Sequence, residues 1–176
     1  MLKIFVPDLY IKNYTKLNIA YLKQRNIKLL VCDIDNTLVP FDQHYPDEGV
    51  FAFIKEFKDN DITLVLISNN KLERVERFAK DLHVRCYPSA HKPLKKTYLQ
   101  VLKDHGLKAD QVASIGDQLL TDVLGSKRCQ ILTILAQPLV KRDIKYTKIN
   151  RFIEKGVYYL LERFDLLKRG EFSDDM

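Results

Sequence analysis

The sequence predicts an α/β fold: three layers, with a parallel sheet of about five strands between two layers of helices. Three observations predict it. Short apolar, β-branched runs recur at Lys28–Cys32, Ile62–Ile67, Val84–Tyr87, Val112–Ile115 and Ile131–Leu135, each short enough for a strand buried on both faces. Helical apolar spacing fills the stretches between them. The chain has 176 residues, 46% hydrophobic and 30% charged, which suits one domain over 1–176 with a single packed core.

The elements follow in order. Residues 13–25 read as an N-terminal helix. Val50, Ile54 and Phe57 share one helical face after the first strand. Leu72, Val75, Ala79 and Leu82 do so after the second, and Leu94, Tyr98 and Val101 after the third. Leu119 and Val123 begin a shorter helix after the fourth. A C-terminal helix is expected over about 150–168, with Ile149, Ile153, Leu160, Leu161 and Phe164 on one side. The acidic tail Glu171–Met176 reads as frayed. Leu2, Ile4, Phe5, Leu9, Tyr10 and Ile11 suit either an interfacial patch or packing against the sheet.

Composition narrows the function classes. No apolar run approaches the roughly 20 residues of a membrane-spanning helix, and the first residues lack the pattern of a secretory signal. A cytoplasmic protein is expected, with peripheral contact at the inner membrane face as an option. Cys32, Cys86 and Cys129 are odd in number and far apart, so neither a disulfide framework nor a structural zinc site is expected. A net charge of +6 favours acidic partners: phosphorylated substrates, RNA or anionic lipid.

Parallel sheets bind ligands at the carboxyl ends of their strands. The first strand is followed by Asp33-Ile34-Asp35-Asn36-Thr37, the second by Ser68-Asn69-Asn70, and the third, after a short loop, by His91-Lys92-Pro93. The fourth is followed by Gly116-Asp117, with Asp122 five residues on. These ends share one edge, so their side chains can converge. The chemistry they suggest is phosphoryl transfer assisted by Mg²⁺. Clustered carboxylates repel and need a compensating cation, and Mg²⁺ takes hard oxygen ligands. Lys92 adds a point charge and Ser68 a neutral donor.

D-x-D-x-T, S-N, K-P and G-D-x-x-x-x-D in this order resemble the haloacid dehalogenase (HAD) superfamily of phosphohydrolases, over Asp33–Asp122. FVPDLY, VCDIDNTLVP, ISNN, HKP and GDQLLTDV resemble more narrowly the class III, YqeG-type subgroup, related to phosphatidylglycerophosphate phosphatases. Asn36 stands where much of the superfamily has Gly. The resemblance implies a Rossmann-like HAD core. It makes Asp33 a nucleophile forming an aspartyl-phosphate and Asp35 the acid and base. Thr37 would brace the motif, and Ser68 and Lys92 would hold phosphate, with Lys92 also restraining the charge of Asp33. Asp33, the Asp35 carbonyl and Asp117 would hold Mg²⁺, supported by Asp122.

Other residues carry two readings each. Asn69 and Asn70 are phosphate contacts or helix caps. Asp122 is a metal contact or a support of the site. His91 reads as structural or exposed, while His44 and Tyr45 sit on a loop that substrate could touch. Lys141, Arg142, Lys145, Lys148 and Arg151 form a solvated face or an attachment to acidic lipid or RNA. Leu38–Asp61 and Lys71–His91 leave no room for an inserted cap domain, so the site is expected to be open and to admit large substrates, such as a lipid phosphate or a phosphorylated macromolecule. The competing classes are a receiver-type signalling module and a non-catalytic HAD-like module that binds RNA or a protein partner.

Overall fold

Nearly unbroken apolar character along five short runs calls for burial on both faces, and the computed structural model, which describes residues 2–140 and 145–173, has that arrangement. Side chains of residues 145–151 lie outside the described set, and with them the basic stretch Lys141–Arg151. The elements are β1 (Leu9–Ile11), α1 (Ile19–Gln24), β2 (Leu29–Cys32), α2 (Glu48–Asp59), β3 (Thr63–Ile67), α3 (Leu72–Ala79), β4 (Arg85–Tyr87), α4 (Lys95–His105), β5 (Val112–Gly116), α5 (Leu124–Arg128), β6 (Leu132–Ala136) and α6 (Lys145–Arg163). Among the described residues, a six-stranded sheet has the order β1-β6-β5-β2-β3-β4, with every pairing parallel.

The sheet divides the core by residue parity. Leu30, Cys32, Leu64 and Leu66 meet Phe53 and Phe57 of α2 and Val75 and Phe78 of α3. On the other face, Leu29, Val31, Val65 and Ile67 meet Tyr98 and Val101 of α4. Further along that face, Tyr10 and Leu135 meet Leu119, Val123, Tyr158 and Leu161. This is the expected three-layer α/β fold. Only a loop and α2 separate β2 from β3, and only α3 with its flanking loops separates β3 from β4.

Caps and turns explain the helix ends. Asp47 accepts a hydrogen bond from the Val50 amide at 3.0 Å and starts α2. Gly106 ends α4 in the left-handed conformation, φ 62°.

The structure differs from the sequence reading in five places. The sheet has six strands, because Leu9–Ile11 forms an edge strand on β6. Its residues are all buried, so of the two readings for them, packing against the sheet holds. Residues 13–25 form a 3₁₀ turn at Tyr14–Lys16 and then α1, because Asn13 and Asn18 each cap a new start. Leu72 and Leu94 point outward at the starts of α3 and α4, while Phe78 takes the core position. On α6 the buried face is Glu154, Tyr158 and Leu161, whereas Ile153, Leu160 and, just past the helix end, Phe164 are exposed. The start of the tail is anchored: the Ser173 amide donates to the Tyr10 carbonyl at 2.6 Å, and Phe172 packs edge-on against Tyr10 with centroids 4.9 Å apart. That contact covers the free edge of β1, an exposed pairing surface in any open sheet.

Candidate active site

Strand register brings the acids together. Cys32 is level with Leu66 of β3 and Ile115 of β5, so Asp33, Ser68 and Asp117 leave the sheet side by side. The chain after β2 then turns tightly, with the Thr37, Leu38 and Val39 amides all directed at the Ile34 carbonyl. Asn36 makes this turn at φ 63°. Asn and Gly enter that region with little strain, which accounts for Asn at this position.

Lys92 is the centre of the site. Its ammonium lies 2.6 Å from Asp33 Oδ1 and 2.6 Å from Asp122 Oδ1, and all three side chains are buried. Asn69 fixes the lysine's backbone: its Oδ1 accepts from the Lys92 amide at 2.7 Å and its Nδ2 donates to the Lys92 carbonyl at 3.1 Å. Asn69 therefore does not cap α3; its side chain braces Lys92. Asn70 donates from its amide to Ser68 Oγ at 3.1 Å. Thr37 Oγ1 lies 3.4 Å from Asp33 Oδ2. The other Asp122 oxygen accepts from the Gln118 amide and the Thr121 hydroxyl, both at 3.1 Å, which ties down the turn beyond Asp117.

Asp33, Asp117 and Asp122 each offer a carboxylate oxygen within 4.8 Å of the others. Two buried carboxylates, Asp33 and Asp122, share the Lys92 ammonium in a desolvated place, with Asp117 beside them. Burial pushes the Asp33 carboxyl up to about 7; Lys92 opposes the rise, and the charges of Asp122 and Asp35 add to it. Burial works against the Lys92 ammonium, yet Asp122 and Asp33 outweigh it and hold its pKa well above the ordinary lysine value. Hard oxygen donors gathered this closely fit a divalent cation.

Asp35 stands apart from this trio. Its carboxylate accepts from Asn70 Nδ2 at 2.7 Å and from the Arg74 guanidinium at 2.9 Å. The same guanidinium reaches the carbonyls of Gln43 and His44, at 2.7 and 3.3 Å, and so pins the loop after the first motif. Sequence reasoning missed Arg74, because an Arg in the first turn of a highly charged helix reads as solvated.

Gly116 shows how closely the pieces meet. A Cβ there would lie 2.3 Å from Asp122 Cγ. Gly116→Ala is expected to cost about 1–3 kcal/mol through overpacking and to push Asp122 off Lys92. Thermal denaturation should show the lower midpoint, and phosphatase assays a parallel loss.

Acids and a lysine gathered at the carboxyl edge of a parallel α/β sheet define the site of a HAD-type phosphohydrolase. The chain belongs to that family: the haloacid dehalogenase-like hydrolase profile matches residues 38–130, beginning just beyond the Asp33–Thr37 turn. It is 35% identical over 161 residues to "Probable phosphatase YqeG" of Bacillus subtilis (strain 168), spanning 92% of this chain and 94% of that protein. Solved structures share the fold. A deoxy-D-mannose-octulosonate 8-phosphate phosphatase from Haemophilus influenzae, in a cobalt-bound form, superposes with TM-score 0.52 at 24% identity, over 73% of this chain and 77% of that one. An uncharacterized protein from Listeria monocytogenes serotype 4b gives TM-score 0.55 at 16% identity, over 67% and 85% of the two chains. The protein is therefore a HAD-type phosphoric monoester hydrolase.

Proposed function

We propose that this hydrolase uses Mg²⁺ and a covalent aspartyl-phosphate, and that its substrate is a lipid phosphate of the phosphatidylglycerophosphate kind. One observation carries the chemical part: Lys92 bridges Asp33 and Asp122 beside Asp117, so a buried carboxylate is aimed by a fixed cation at the open edge of the sheet.

Asp33 is the nucleophile. Its carboxylate oxygen bonds to phosphorus as the ester P–O bond breaks, and Asp35 gives a proton to the leaving oxygen. Asp35 then takes a proton from water, whose oxygen attacks the same phosphorus. The P–O bond to Asp33 breaks, releasing inorganic phosphate and restoring both acids. Ser68 and Lys92 bind the phosphoryl oxygens. Asn69 keeps Lys92 in place through its main chain. Asp33, Asp117 and the Asp35 carbonyl would hold Mg²⁺, with Asp122 supporting Lys92 and the turn beyond Asp117. The ion would supply charge neutralisation on the phosphoryl oxygens.

The lipid substrate is supported by the resemblance of the motifs to the phosphatidylglycerophosphate phosphatase relatives and by the absence of an inserted domain after β2 or β3, among the described residues, to wall off a small molecule. The test is phosphate release, with Mg²⁺ and with a chelator, from phosphatidylglycerophosphate in mixed micelles against a panel of sugar phosphates and nucleotides. Turnover of the lipid well above the panel is expected. Equal turnover of soluble esters would remove the substrate assignment, and release that ignores the chelator would remove the metal.

Arg74 positions Asp35. Arg74→Ala is expected to lower kcat by about 10²-fold with little change in KM, because misplacing a proton donor by an ångström has that order of effect. Arg74→Lys should restore part of it. Steady-state kinetics on both variants checks this.

A further inference from the structure

α6 carries apolar side chains on both sides. Its inner side, Tyr158 and Leu161, packs into the core with Leu119 and Val123 of the site's last turn. Its outer side leaves Phe152 77%, Ile153 50%, Tyr159 62% and Leu160 40% exposed, joined by Phe164, 59% exposed, in the turn that continues it. At helical spacing these five fall on one continuous face, opposite the buried one. Isolated exposed apolar residues are ordinary, but five large ones on one face mark a contact surface.

We propose that the outer face of α6 docks the enzyme on an anionic lipid surface. Charge selects this occupant. The α6 segment, Lys145–Arg163, contains five Lys or Arg and two Glu, and one of those, Glu154, is buried. Lys155 and Arg163 are exposed, Arg163 among the apolar residues and Lys155 at their border. An apolar helix face flanked by Lys155 and Arg163 matches the boundary between acyl chains and acidic headgroups, where long basic side chains reach outward to the phosphates. A second copy of the chain fits less well, since pairing two α6 faces would bring like charges together.

The inner side of α6 is tied to the site's last turn. Glu154 accepts a hydrogen bond from the Leu120 amide at 3.0 Å, so the helix is fastened to the turn that carries Asp122. Leu139, itself partly exposed, donates its amide to the Asn36 carbonyl in the first motif at 3.0 Å. The inference deepens the lipid-phosphate reading and rests on it for the purpose of docking, whereas the docking itself stands on α6.

The test is flotation of the full chain with vesicles of equal parts phosphatidylcholine and phosphatidylglycerol, against vesicles of phosphatidylcholine alone. The wild type is expected to float with the acidic vesicles, and less so as salt rises. The triple variant Phe152→Ser/Tyr159→Ser/Phe164→Ser should bind at least about tenfold more weakly, since each side chain contributes apolar burial. Hydrolysis of a soluble aryl phosphate should be unchanged in it, so loss of docking is separable from loss of the phosphatase reading. Wild type left unbound, or a triple variant that binds as well as wild type, would overturn the proposal. So would a wild-type dimer in sedimentation that the triple variant converts to monomer, because the face would then belong to a second copy.

Discussion

Asp33→Asn is expected to abolish phosphatase activity, by on the order of 10⁴-fold or more, while leaving the protein folded. The amide keeps the side chain's shape but cannot attack phosphorus, so no covalent intermediate forms. The same substitution removes one of three buried carboxylates around Lys92, which relieves repulsion. Without metal, the Asp33→Asn variant should therefore be no less stable than wild type near neutral pH. The sign follows from the raised carboxyl. Asp33 holds its proton in the folded protein up to about 7, against an ordinary value of 3.8. Between those values the folded state binds a proton that the unfolded chain has released, so this group's contribution to stability falls as pH rises through the window and is constant above it. The variant lacks that dependence. Thermal midpoints of both proteins in chelator, from pH 4 to 8, should diverge in favour of Asp33→Asn as pH rises, and adding Mg²⁺ should close the gap. Activity retained in the Asp33→Asn variant, or midpoints that run parallel across the series, would contradict the assignment of Asp33.

What the sequence made legible was the set of groups that terminate strands. D-x-D-x-T, S-N, K-P and G-D each follow a β-branched run, and parallel pairing of those runs leaves few ways to avoid a shared edge. What it hid were relations that no side-chain pattern encodes. Asn69 acts on the main chain of Lys92, a partner 23 residues away. Arg74 looks like any exposed cation until the loop at Gln43 and His44 is folded over it. The strand Leu9–Ile11 is three residues long and starts just after Pro7 and Asp8, too short for alternation to be read. On α6, apolar residues occupy both sides, so periodicity could not say which side was inside. The burial of Glu154 decides it, because its carboxylate accepts from the Leu120 amide.

Lys92→Met is expected to have the largest effect on stability. Met keeps most of the length and the apolar stem of the side chain but removes the ammonium that lies 2.6 Å from both Asp33 and Asp122. Once the pH is high enough to ionise Asp33, two buried carboxylates would then face each other, beside Asp117, without a cation between them. Breaking a buried pair in this way typically costs about 3–5 kcal/mol, because it leaves charge uncompensated rather than merely losing a bond. For a chain of this size that corresponds to a fall in midpoint of roughly 10 °C. Two further results would separate this cause from poor packing. Lowering the pH should narrow the gap to wild type, since protonating Asp33 or Asp122 removes the repulsion. Adding Asp122→Asn to Lys92→Met should recover much of the lost stability, a coupling that a double-mutant cycle measures directly. Activity should not return with stability, because the phosphoryl oxygens would still lack the lysine's charge, a loss of about 10²–10³-fold for a single electrostatic donor. A double variant no more stable than Lys92→Met alone would show that the lysine is held for its volume and not for its charge.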